Sequence, residues 1–474
     1  MKDLTSGSIQ QGIWSMAIPL ITGSFVQMAY NMTDMIWLGH LGSESVAAVG
    51  VAGFFTWLCN SLSFTGKIGA EVTISQSLGA EKRKRAALYA NQAALLSSIM
   101  AILYALFILI AAPGLVSLFK LESHIADMSV EYLRLVVPGI FFTFNNNTFS
   151  GLYNGQGDSK TPLKIVSIGL VANIILDPLL IYGLGPIPAM GTAGAAIATS
   201  SAQMLVYAIF TSKLYFKRPT IGQLHFISRP SKKLMGRIAQ LGAPVSAQSA
   251  LFSMFSMTLG GMAASWGHVG VATQSIGAQI EAVTWMTSAG FSTALAAFVG
   301  QNYGAGQFER IRKGYAYTLR LAMCISGVAA LLFFFLGEEL FGIFVEDPAT
   351  LATGKDYMRI LALSQLFMAI ESVTAGAFNG SGRTMPPAIV GISMNALRLP
   401  MAYLLMAVPA LGLNGIWWSI SGSSILKGII LYIWYKLFRK QMHNEKGHPT
   451  RSWFYKPSAL LGKMYAIASR LWQQ

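Results

Sequence analysis

Residues 153–162 read YNGQGDSKTP, and residues 378–387 read FNGSGRTMPP. Both carry N-G-x-G and both close on proline. The step that carries Gly155 onto Gly380 defines a register, and sliding the chain by it aligns more than the turn. Ile18-Pro19 meets Ala243-Pro244, and Gln76-x-x-Gly79-Ala80 meets Gln301-x-x-Gly304-Ala305. Phe119 meets Phe344, and Tyr132-x-Arg134 meets Tyr357-x-Arg359. Several short patterns in one register identify a duplication. No gap is needed from Pro19 to Gly157. Beyond it, a gap of three residues brings Asn173-x-x-x-x-Pro178 onto Asn395-x-x-x-x-Pro400.

Locally the stretch reads as a tight connection between two helices. Glycine adopts positive φ without a steric penalty, and the later prolines suit the first turn of the next helix. A Gly-x-Gly pair with no preceding strand, in a chain lacking G-x-x-x-x-G-K-[ST], does not make a nucleotide site. A hairpin is therefore favoured here over substrate contact.

The composition sets the class. Of 474 residues, 53% are hydrophobic and only 11% charged, with mean hydropathy +0.52. A soluble domain carries about 25% charged residues. Apolar stretches long enough to cross a bilayer recur at 12–36, 46–75, 86–112, 128–150, 162–184, 191–214, 237–260, 270–298, 313–336, 356–378, 386–408 and 412–437. The expected fold is all-α and integral to the membrane. It has twelve transmembrane helices in two six-helix bundles. Six spans per half is an even number, so the halves enter the membrane in the same sense, and a pseudo-twofold axis is expected along the membrane normal. The expected divisions are an N-terminal lobe (1–215), a linker (216–236), a C-terminal lobe (237–438) and a basic tail (439–474). Within the tail, 453–474 reads as an amphipathic interfacial helix.

The net charge of +15 is a topology signal rather than a nucleic-acid footprint. Lys82, Arg83, Lys84 and Arg85 lie in the second connection, Lys213 to Arg237 in the sixth, and Arg310, Arg312 and Lys313 in the eighth. The first, fifth, seventh and eleventh connections hold no Lys or Arg. A Lys/Arg excess marks the cytoplasmic side, so both termini are expected inside, in the plasma membrane. Cys59 and Cys324 lie singly inside spans and make neither a disulfide framework nor a metal site. The six histidines (His40, His124, His225, His268, His443 and His448) lie near connections or in the tail. They do not converge into a catalytic constellation, so no enzyme, cofactor or bound metal is expected.

The residues also carry a family resemblance. YNMTDMIWLGHLGSESVAAVG around Asp34, the Q-x-x-G-A ends of spans 2 and 8, NGQGDSKTP, NIILDPLLI, AFVGQNYGAG and FNGSGRTMPP resemble a multidrug and toxic compound extrusion (MATE) transporter over residues 10–438. The resemblance implies two six-helix lobes about a central cleft. It implies export of amphipathic, often cationic compounds in exchange for H⁺ or Na⁺. Related folds that flip lipid-linked oligosaccharides, or export a metabolite, form the alternative. The expected partners are a small organic substrate and the lipid bilayer, with the chain acting as a monomer.

An ionisable residue within a span is costly and marks a candidate site. Asp34 in span 1 and Asn173 with Asp177 in span 5 lie at compatible depths, and the last two share a helix face. Their oxygens suit Na⁺. Two close, desolvated carboxylates would equally take up a proton. The resemblance places the family's first-lobe cation site on these three residues. In the gapped alignment their counterparts are Leu259, Asn395 and Leu399. Glu281 and Glu371 are substrate or second-ion candidates, and a Glu371–Arg398 ion pair is the structural alternative. Lys67 and Glu71, at i and i+4 in span 2, read as a local ion pair. Trp57, Trp285 and Met286 are cleft candidates, Met being suited to a tolerant pocket. Pro19 and Pro244 are expected to kink their helices.

Overall fold

The computed structural model describes residues 3–183, 185–216 and 229–444, apart from the side chains of Asn31, Asp34 and residues 441–444. The first half forms α1 (Ile9–Gly39), α2 (Ser43–Gly79), α3 (Arg83–Ser117), α4 (Ser123–Gly155), α5 (Lys160–Ile181) and α6 (Gly191–Phe216). The second half forms α7 (Lys232–Ala264), α8 (Gly267–Gly304), α9 (Phe308–Phe335), α10 (Gly337–Gly342), α11 (Pro348–Ala362), α12 (Gln365–Gly380), α13 (Met385–Met406) and α14 (Asn414–Asn444). Residues Met1–Tyr435 form one compact unit. Most of the expected linker (217–228), and the tail segment 453–474, lie outside the described residues.

The duplication is visible in the helix ends. Carried forward by the step from Gly155 to Gly380, α2 falls on α8, α3 on α9 with α10, α4 on α11 with α12, and α5 on α13, with ends that agree to within a single position. Nine of the described helices are individually long and apolar enough to cross a membrane, and α11 with α12 makes a tenth span bent by 49°. The other two, α4 and α7, are 33 residues each. α4 carries polar residues whose side-chain amides donate within the first half. The Asn147 amide donates to Asn60 Oδ1 and Ser63 Oγ, both at 2.7 Å, and Asn146 donates to the Gln203 carbonyl at 2.9 Å. This is an all-α integral membrane protein with twelve spans.

The gap expected after Gly157 is not present. α5 and α13 are 22 residues each, and they start at Lys160 and Met385, in the same ungapped register as Gly155 and Gly380. Their buried faces also coincide in that register, pairing Pro162 with Pro387, Ile165 with Val390 and Leu170 with Asn395. The proline alignment misled because a proline within a helix marks a local backbone feature, whereas burial fixes the face. In the corrected register Arg398 stands where the first half has Asn173, and Ala402 where it has Asp177.

Small residues set how closely the helices pack, as expected where lipid supplies little hydrophobic drive between them. A Cβ on Gly151 would lie 2.3 Å from the Lys67 carbonyl oxygen, and one on Gly376 would lie 2.3 Å from that of Ser292. These contacts are equivalents across the repeat.

Prolines do not break the helices. α1 and α7 run through Pro19 and Pro244 as single elements. The break falls at Leu363–Ser364, where the sequence has no proline. There the Leu361 carbonyl accepts from the Ser364 amide at 3.0 Å, the Ser364 hydroxyl at 2.9 Å and the Gln365 side chain at 3.3 Å. Side-chain donors thus compete with the helical ladder for that carbonyl, and the chain bends.

Candidate functional site

The opening turn has a structural answer. Tyr153 and Phe378 carbonyls accept from the amides of Asp158 and Arg383, each at 3.0 Å. This is a helix-ending motif closed by a left-handed glycine, with φ 77° at Gly157 and 73° at Gly382. The other glycine of each N-G-x-G permits close approach. A Cβ on Gly155 would sit 2.7 Å from the Glu71 carbonyl oxygen, and one on Gly380 would sit 2.3 Å from that of Ala296.

These turns are also where the halves meet. Gln76, near the end of α2, donates to the Gly380 carbonyl of the second-half turn at 2.9 Å. Its repeat equivalent, Gln301 on α8, donates to the Gly155 carbonyl of the first-half turn at 3.2 Å. The two bonds exchange under the repeat. A Cβ on Gly79 would lie 1.8 Å from the Gln301 carbonyl oxygen, and one on Gly304 would lie 2.1 Å from that of Gln76. Only glycine lets the ends of α2 and α8 cross so closely. The N-terminal segment adds a strap. The Leu4 amide donates to Gln301 Oε1 at 3.0 Å, and Arg310 donates to the carbonyls of Leu4, Ser6 and Gly7.

In the first half, Asn173 and Asp177 are each 1% exposed, and the Asn173 amide donates to Asp177 Oδ1 at 2.8 Å. Asn173 Oδ1 is buried with no partner among the described residues. Asp34 lies on α1, but its side chain is outside the described residues, so its convergence with this pair stays an expectation.

In the second half the expected Glu371–Arg398 pair is replaced. Glu371 pairs with Lys427 of α14 at 3.0 Å. Arg398 donates to Ser423 Oγ at 2.7 Å and Ser424 Oγ at 2.9 Å. Glu281 accepts from Gln365 at 3.3 Å, and Gln365 accepts from Thr284 at 2.8 Å. The polar network therefore joins α8, α12, α13 and α14. Lys427 was missed in the sequence, although an ionisable residue inside span 12 was the signal for it. The helix break is what brings Gln365 to Glu281.

Lys67 and Glu71 do not close into the expected local ion pair. Both Glu71 carboxylate oxygens are buried without a partner among the described residues. Lys67 instead places its ammonium 5.3 Å from the centre of the Phe64 ring, a cation–π arrangement. Trp57 and Trp285 are 40% and 48% exposed, and Met286 is half-buried. They lie in the middle stretches of α2 and α8, away from the turns.

Twelve spans in two equivalent halves, joined about an axis and carrying buried polar groups, define a duplicated helical membrane transport protein. The chain belongs to the MatE family, whose sequence profile matches residues 19–179 and 244–404. The second match is the first carried forward in the register of the two turns. Among similar proteins, the probable multidrug resistance protein NorM of Thermotoga maritima is 28% identical over 90% of this chain and 92% of its own. The FAD transporter of Shewanella oneidensis is 24% identical over 91% and 96%. A multidrug resistance MATE family transporter of the MOP superfamily, solved in an outward-facing conformation, superposes with TM-score 0.87. It is 25% identical, with 94% of this chain and 99% of that one covered.

Proposed function

We propose that this protein is a multidrug efflux transporter that exports amphipathic, cationic organic compounds by alternating access, driven by inward movement of H⁺ or Na⁺. The observation that carries the reading is the paired Gln76–Gly380 and Gln301–Gly155 contact, which closes the halves at the turn-bearing end. Away from that end, in the middle of α2 and α8, Trp57 and Trp285 remain exposed. With the basic connections inside, the closed end faces the cytoplasm and the cleft faces outward. The likeness to an outward-facing transporter and to proteins named for multidrug resistance supports it.

In this reading Asp34, Asn173 and Asp177 take the external cation, and Trp57, Trp285 and Met286 line the substrate cleft. The ion drives transport only by binding the outward and inward states with different affinity. Efflux from proteoliposomes under separately imposed pH and sodium gradients tests this. Transport should follow one gradient, and Asp34→Asn should abolish the coupling in a folded protein. Coupled efflux unchanged in that variant removes Asp34 from the mechanism.

A second cargo is favoured by one observation, the similarity to the FAD transporter. An anionic metabolite would use Lys67 rather than a carboxylate in the cleft. Adding such a metabolite to the same vesicles, beside a lipid-scrambling assay, separates these cargoes.

A further inference from the structure

At the junction of the halves is a cavity of about 30 Å³, room for at least one water molecule. Its polar walls come from Glu71 of α2, Ser292 and Thr293 of α8, and Asn379 of α12, with Ala296 opposite. Its acceptors lack donors among the described residues. Both Glu71 oxygens and Asn379 Oδ1 are buried without partners, and the Ser292 hydroxyl is committed to the Ser372 carbonyl at 2.7 Å. A carboxylate that has lost water and gained no donor is unfavourable in a protein interior. One added proton removes the charge and supplies the missing donor.

The repeat explains why the space exists. Glu71 and Ala296 are equivalents, so the cavity straddles the axis with an acid on one side and a methyl group on the other. Two facing acids would repel. The charged surroundings are few. Lys67 lies one turn away on α2 with its ammonium over Phe64. α4 brings Gly151 and Gly155 against the backbone of this part of α2. Among the described residues lining the cavity from α8 and α12, none is ionisable. Glu371, two turns along α12, is held by Lys427. Arg237 approaches Gly382 just beyond the turn. The lysine's charge also disfavours a metal cation in the cavity.

We propose that Glu71 is a proton-carrying site between the halves, loaded while they are closed at the turn-bearing end and emptied when they part. This rests on the alternating-access reading above. Asn379 directly precedes Gly380, whose carbonyl receives the Gln76 bond. Any parting that breaks that bond also draws Asn379 from the cavity and admits water. The Glu71 O–H bond then breaks, leaving carboxylate on the protein and hydronium in the water. Closure reverses the transfer.

The test uses the full chain in nanodiscs with Cys59→Ser and Cys324→Ser. Spin labels are placed at the exposed positions Lys82→Cys and Glu309→Cys, on opposite halves at this end. Pulsed dipolar spectroscopy reads their separation from pH 5 to 9 in choline chloride. A proton bound in the closed state should give a short distance at low pH and a longer one as pH rises. Glu71→Gln should stay short throughout, and Glu71→Met, as a second neutral variant, should do the same. A pH-driven shift unchanged in both variants overturns the proposal while leaving the moving halves intact. An invariant distance in the parent protein also overturns it, and the efflux assay then decides separately whether the chain transports. A shift driven by sodium at fixed pH, and lost in Glu71→Gln, overturns the assignment to a proton.

Discussion

α5 and α13 occupy equivalent places in the two halves, have the same length and bury the same face, yet carry opposite chemistry. α5 presents Asn173 and Asp177, an amide and a carboxylate joined by one hydrogen bond. α13 presents Arg398 and Ala402 at those positions, with the guanidinium held by two serine hydroxyls. One half thus offers oxygen ligands, and the other has built its own cation into the same place. Duplication supplied the scaffold twice, and divergence gave equivalent positions in the two halves opposite polar groups.

That contrast predicts unequal responses. Lys427→Met leaves the half-buried Glu371 without its ion-pair partner and should destabilise the protein by about 3 kcal/mol, the low end for removing one member of a buried pair. Adding Glu371→Gln should recover much of the loss in thermal unfolding. Asn173→Ala should cost less, about 1–2 kcal/mol for one buried hydrogen bond, while abolishing any stabilisation by H⁺ or Na⁺. Ion-dependent stabilisation that survives Asn173→Ala but vanishes in Lys427→Met would reverse the assignment of the two halves.

The closure can be probed by its own asymmetry. Gln76→Ala removes one cross-half bond, at about 1 kcal/mol. Gln301→Ala removes the equivalent bond and also frees Leu4, so it should open the turn-bearing end more often. Cross-linking between the halves would show the order, and equal effects would make the N-terminal strap irrelevant to closure.

The smallest effect belongs to Asp3 at the base of that strap. Hydrogen bonds from the Thr5 and Ser6 side chains hold its carboxyl below the ordinary value of 3.8. A depressed value stabilises the strap above that pH, and the contribution is lost as the pH falls through the lowered value. Asp3→Asn should flatten this acid-side loss of N-terminal protection in hydrogen exchange, leaving neutral-pH transport unchanged.

Much of the fold was legible because hydropathy and the repeat register are written locally along the chain. Lipid demands about 20 apolar residues per span, and each span satisfies its own backbone bonds, so length and polarity locate the helices. The pairing of polar groups was not legible. Sequence spacing placed Lys67 beside Glu71 and suggested Arg398 for Glu371, yet Lys67 turns to Phe64 and Lys427 of another helix takes Glu371. Helical spacing says which residues share a face, not which neighbour that face will meet.

The sequence by itself determined the twelve spans, the duplication and the turn glycines, because each follows from one helix or one backbone angle. Only the tertiary structure decided that the turns receive glutamines from the opposite half, that span ten breaks at Ser364, and that Glu71 is left facing a cavity. Those outcomes depend on distances between helices far apart in the chain, where small residues and side-chain donors compete for the same carbonyls.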